Sequence, residues 1–136
     1  MKRIVAIVAL VLAVVVLNSC IVIVREETVP PCIEYPPADE TIEEIDAIGK
    51  LSFDSDRHSA YERIAAREGL SESSQAYLVE AVFENLSFES AKVDVLLTLI
   101  ENPSFSPVGR TAILSQLERL SFESNKRKII EAMNEH

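Results

Sequence analysis

One seven-residue motif occurs three times in this chain and constrains its fold more than any other feature. Leu51-Ser52-Phe53-Asp54-Ser55-Asp56-Arg57 is followed by Leu86-Ser87-Phe88-Glu89-Ser90-Ala91-Lys92, and that in turn by Leu120-Ser121-Phe122-Glu123-Ser124-Asn125-Lys126, so the copies open at positions 51, 86 and 120. Each copy reads Leu-Ser-Phe, an acid, Ser, any residue, then a base. A regular period of about 34 residues marks stacked helical hairpins, because each hairpin buries its apolar stripe only against its neighbours. A finer period, half as long, lies inside it and is marked by Phe53, Leu70, Phe88, Phe105 and Phe122.

After each of these five residues comes a polar turn and then an apolar set at helical spacing. The sets are Tyr61 and Ala65; Leu78, Val79 and Val82; Leu96, Leu97 and Ile100; Ile113, Leu114 and Leu117; and Ile130 alone. Each unit is one helix plus its turn, and two units make a hairpin. Helices are predicted near 54–68, 72–85, 89–101, 107–120 and 123–134, behind a leading helix that runs to about Lys50 on Ile42, Ile45 and Ile48. Asp39 and Ser106 read as N-caps, Pro107 as the first residue of its helix, and Gly69 as a C′ residue. The fold class is therefore all-α: a short α-solenoid of about six helices in stacked antiparallel hairpins with a 34-residue repeat. Within the motif, Leu and Phe are expected to bury the corner between helices. Its Ser or acid is expected to satisfy free amides at the helix start. The acid, placed where the helix dipole favours negative charge, should pair with the base three residues on.

The chain divides into 1–24, 25–37 and 38–136. Met1-Lys2-Arg3 precedes an uncharged run from Ile4 to Val24, interrupted by Asn18-Ser19-Cys20. Two readings stand. In one, Leu17-Asn18-Ser19-Cys20 is the processing box of a lipoprotein signal and Cys20 carries the lipid. In the other, the run is a single transmembrane anchor, since about 20 apolar residues cross the hydrocarbon core. Both keep Lys2 and Arg3 in the cytoplasm and put the rest outside. Residues 25–37 hold four of the six prolines, Pro30, Pro31, Pro36 and Pro37, and read as an extended tether. Cys32 lies within it, a free thiol or an intermolecular disulfide partner.

All 22 acidic residues lie beyond Val24 against 11 of the 13 basic ones, so that region carries about 11 net negative charges. Such a domain is poorly matched to nucleic acid or anionic lipid, which need basic patches. The basic cluster Lys126-Arg127-Lys128 reads as a solvated helix face. His58 with Asp54 and Asp56 offers metal-ligand chemistry, but residues two apart on a helix do not share a face. No Gly-x-Ser-x-Gly elbow or phosphate-cradling glycine loop occurs. Asn85-Leu86-Ser87 matches a glycosylation acceptor inside a turn that the repeat already uses.

The motifs and the helical rhythm between them, over roughly residues 51–134, resemble the Ser-Asp-x-Asp-Lys-type helical repeats of bacterial extracytoplasmic proteins. Those include the outer regions of some beta-lactam-sensor-like membrane metallopeptidases. The resemblance implies an envelope location and a recognition or sensing role. No peptidase activity carries over, because His-Glu-x-x-His is absent. The period also resembles a tetratricopeptide repeat, whose Trp, Gly-Tyr and Pro positions are not met; HEAT-like packing is the closer comparison, on fold alone.

The expected function is a membrane-anchored, extracytoplasmic module that binds a protein partner, with no catalytic residue, metal, cofactor, nucleic acid or small-molecule substrate. Regular stacking should bring Arg57, Lys92 and Lys126 onto one edge as a basic strip that orients an acidic partner. The alternatives are an enzyme or regulatory subunit with a carboxylate-based site, and a structural envelope spacer.

Overall fold

Helix-forming stretches with polar openings and apolar stripes fold as the spacing requires. A computed structural model describes residues 39–136 as all-helical, with no strand among them. The helices are α1 (Glu40–Gly49), α2 (Asp54–Ala65), α3 (Glu72–Asn85), α4 (Glu89–Glu101), α5 (Pro107–Gln116) and α6 (Glu123–Glu135), with a 3₁₀ turn at Leu117–Arg119. The expected anchor (1–24) and tether (25–37), with Cys20 and Cys32, lie outside the described residues. No helix among the described residues is long and apolar enough to cross a membrane.

The most extensive packing joins helices two apart: α1 to α3 and α3 to α5 in one layer, α2 to α4 and α4 to α6 in the other. Hydrogen bonds between first turns show that same-layer neighbours run parallel. The Asp39 carboxylate accepts from Ser71 Oγ at 2.6 Å and Ser74 Oγ at 2.5 Å, tying α1 to α3. Buried Gln75 of α3 accepts from Ser106 N and Oγ, at 2.9 and 3.0 Å, and donates to Leu70 O and Ser104 O. At the same end of the domain, Asn102 Nδ2 donates to Ala65 O at 2.7 Å and Arg67 O at 2.8 Å. That side chain closes α2 at Ala65, short of the predicted 68. Gly69 then falls beyond the C′ position, in the loop, where φ is +74° and a side chain would be strained. The predicted helix 107–120 likewise ends at Gln116 and tightens into the 3₁₀ turn.

The core lies between the layers. Ile45, Tyr61, Ile64, Leu78, Val79, Val82, Leu96, Leu99, Ile100, Ile113 and Ile129 are fully enclosed. Five expected core residues differ. Ile42, Leu97 and Leu117 are only partly buried, the latter two against this cluster, while Leu114 and Ile130 are 47% and 41% exposed. Both exposed residues occupy register positions that are buried in earlier units: Leu114 corresponds to Val79, and Ile130 to Leu96 and Tyr61. The helices that carry Val79 and Leu96 each pack against a following helix of their layer, and the described residues hold no later helix to cover Leu114 and Ile130. In α6 the buried residues are instead Ile129 and Met133.

Candidate functional site

The motif corners do not fold as a buried Leu-Phe pair. Leu86 and Leu120 are buried, but Leu51, in the first copy, is 40% exposed, with no earlier copy among the described residues. The phenylalanines turn outward in all three copies: Phe53, Phe88 and Phe122 are 69, 66 and 62% exposed. Each is the N-cap of its helix, with extended backbone and no side-chain capping bond. The contrast with the other layer is chemical, since Asp39, Ser71 and Ser106 there cap with side-chain oxygens. A phenyl ring offers no acceptor, so these positions give up a capping contribution of about 1 kcal/mol. The motif serines do not cap either.

The motif acids act across helices instead. Asp54 Oδ1 accepts from Ser87 N at 3.0 Å. Glu89 accepts from Ser121 N at 2.7 Å, Phe122 N at 3.0 Å and Asn125 Nδ2 at 2.8 Å. Asp54 and Glu89 thus each grip the corner of the following copy and hold adjacent backbone corners about one interhelical spacing apart, ~8–10 Å. Partial burial works to raise the pKa of both groups. For Asp54 the Ser87 amide and Arg57 outweigh it, and for Glu89 the Asn125 amide and the Ser121 and Phe122 N–H groups do. Both carboxyls are held below the ordinary range. In the third copy Glu123, 79% exposed, meets only Lys126.

The three bases stand at the same place in their helices, four residues after each phenylalanine, and have different partners. Arg57 donates to Asp54 Oδ1 and to Leu51 O, both at 3.2 Å. Lys126 pairs with Glu123 at 2.8 Å. The expected Glu89–Lys92 pair does not form, because Glu89 is spent on the next corner. Lys92 Nζ lies instead 5.6 Å from the centroid of the buried Phe83 ring, and Arg119 Cζ lies 5.3 Å from the same centroid. Among the described residues neither Lys92 nor Arg119 pairs with a carboxylate. These two cations are a positive spot beside the Phe88 and Phe122 corners of an acidic domain. Arg119 was not legible as part of this edge, since it lies outside the motif and reaches Phe83 from the 3₁₀ turn.

Two hollows complete the geometry. One, of about 240 Å³, lies between α2 and α4 and is lined by Asp54, Ser55, His58, Phe88, Ser90, Ala91 and Asp94. There His58 Nε2 faces Asp94 Oδ2 at 3.8 Å rather than gathering Asp54 and Asp56. No group of three or more metal-ligating side chains exists among the described residues. The other, of about 140 Å³, includes Asp46, Tyr77, Glu80 and Glu84. The Tyr77 hydroxyl donates to Asp46 at 2.5 Å, which ties α1 to α3 and raises the pKa of the phenol.

Comparison of the chain with protein-family models, with curated proteins and with solved structures finds no match.

Proposed function

We propose that this chain is a membrane-anchored, extracytoplasmic protein-interaction module. Its repeat domain is a short α-solenoid of 34-residue two-helix units, carried outside the cytoplasm on the tether 25–37 and anchored by residues 1–24. The partner binds along the motif edge, on Phe53, Phe88 and Phe122, with Arg57, Lys92 and Lys126 as the basic strip that orients it. One observation carries this reading: three large aromatic rings, each about two-thirds exposed, recur at one register position where a capping residue would stabilise the helix better. Exposed aromatic clusters beside cations are the usual composition of binding hot spots.

The test is site-specific photocrosslinking in cells that produce the full chain. A photoreactive residue in place of Phe88 should give a discrete crosslinked protein band, weakened by Lys92→Glu, whereas the same residue in place of Glu80 should give none. Equal crosslinking from both sites, or none from Phe88, would defeat the proposal.

A further inference from the structure

The spacing and charge of the aromatic edge narrow its occupant. The backbone corners that carry adjacent phenylalanines stand one interhelical spacing apart, about 8–10 Å, because Asp54 and Glu89 clamp each corner to the next. A bound β-strand repeats a given face every two residues, roughly 6.6–6.8 Å, and falls out of step within one interval. Polyproline II has three residues per turn and a rise of about 3.1 Å, so the same side returns every ~9.3 Å. That matches the row. Flat aromatic rings are also the surface on which proline-rich segments dock, with little ordering entropy to lose.

The charge at the edge is as specific. Asp54 Oδ1 and both Glu89 carboxylate oxygens accept from the domain itself. Lys92 and Arg119 share the Phe83 ring and have no carboxylate among the described residues. The cations left for a partner lie next to the middle and last phenylalanines, in a domain otherwise strongly acidic. The complementary ligand carries negative charge between its ring-contacting residues.

From these observations we infer that the edge binds an acidic, proline-rich segment in the polyproline II conformation, one turn per phenylalanine, with its carboxylates on Lys92 and Arg119. The inference rests on the protein-interaction reading and names the partner's chemistry. The chain has no tryptophan, so Phe88→Trp places a single indole in the row. The full chain carrying this reporter, held in phosphatidylcholine nanodiscs, is titrated with a peptide of about twelve residues of repeating Pro-Pro-Glu, roughly 37 Å long as polyproline II. A saturable blue shift of the indole is expected. Affinity should fall about tenfold or more with Lys92→Glu, with a Pro-Pro-Lys peptide and with a Gly-Ser-Glu peptide of the same charge. Equal binding of the Gly-Ser-Glu peptide would overturn the inference, since charge alone would explain the contact. Quenching of the indole by brominated lipid before any peptide is added would also overturn it and make the row a bilayer contact. If no peptide binds while Phe88 still crosslinks to a protein in cells, this inference fails and the broader reading stands. If both signals are missing, both fail.

Discussion

Replacing Leu96 by Ala, beside Ile130→Ala, tests whether the last unit's forward face is open. The two residues hold the same register position in successive units, and Tyr61 is the third member of that series. Leu96 is completely enclosed, and Ile130 is 41% exposed. Removing a fully buried leucine side chain forfeits its transfer free energy and leaves a cavity, together about 3–5 kcal/mol. For a domain of about 100 residues that lowers Tm by roughly 15–25 °C. Ile130→Ala removes area that water already reaches and should cost about 1 kcal/mol, or roughly 5 °C. The half-buried Leu97 should fall between them. Thermal melts of residues 37–136, followed by far-ultraviolet circular dichroism, compare the three directly. If Ile130→Ala costs as much as Leu96→Ala, the face is covered in solution, and the explanation given for the exposure of Leu114 and Ile130 is wrong.

Acidification should destabilise the domain. Hydrogen bonds from Ser71 and Ser74 hold the Asp39 carboxyl low, as the corner contacts hold Asp54 and Glu89. A depressed folded pKa contributes stability that is present above the unfolded value and lost as pH falls through the folded one. Tm should therefore be nearly flat from about pH 7 to 5 and drop below about pH 4, with a shallower drop in Glu89→Gln; a Tm that rises on acidification refutes the clamp. The full chain should fractionate with membranes, its repeat domain digestible from outside the cytoplasm. Fatty-acid labelling lost in Cys20→Ala selects the lipoprotein anchor, and labelling of neither form selects the transmembrane one. Recovery of the chain in the soluble fraction contradicts both.

Local chemistry made the helix starts readable. Asp39, Ser106 and Pro107 mark their positions through caps and a fixed φ, and the motif marks the starts of α2, α4 and α6. Which residues lie between layers was readable for Tyr61, Val82 and Leu96, whose units have neighbours on both sides, but not for Leu97, beside Leu96 in the same helix, which is only half-buried. Leu114 and Ile130 carry the same apolar signal, but burial depends on what lies beyond them, which periodicity does not encode. The direction of the three phenylalanines was misread because repetition alone does not separate a residue kept for packing from one kept for contact. Gln75 and Asn102, both buried, were missed because each has partners in a distant unit as well as nearby in the chain. The edge was half legible. Its bases followed from the motif, while the diversion of Glu89 away from Lys92, and the approach of Arg119, needed the packed corners.

If the outward phenylalanines serve a partner and not the fold, the domain should keep its stability without them. The melting temperature of the triple variant Phe53→Ser, Phe88→Ser, Phe122→Ser tests it most directly. Each ring has only about a third of its surface covered, so its loss should cost at most about 1 kcal/mol. A serine at an N-cap in extended conformation returns about the same amount by accepting from the first turn. A Tm within roughly 5 °C of the unaltered domain is expected. A fall of about 15 °C or more would contradict it and return the three rings to the packing of the corners.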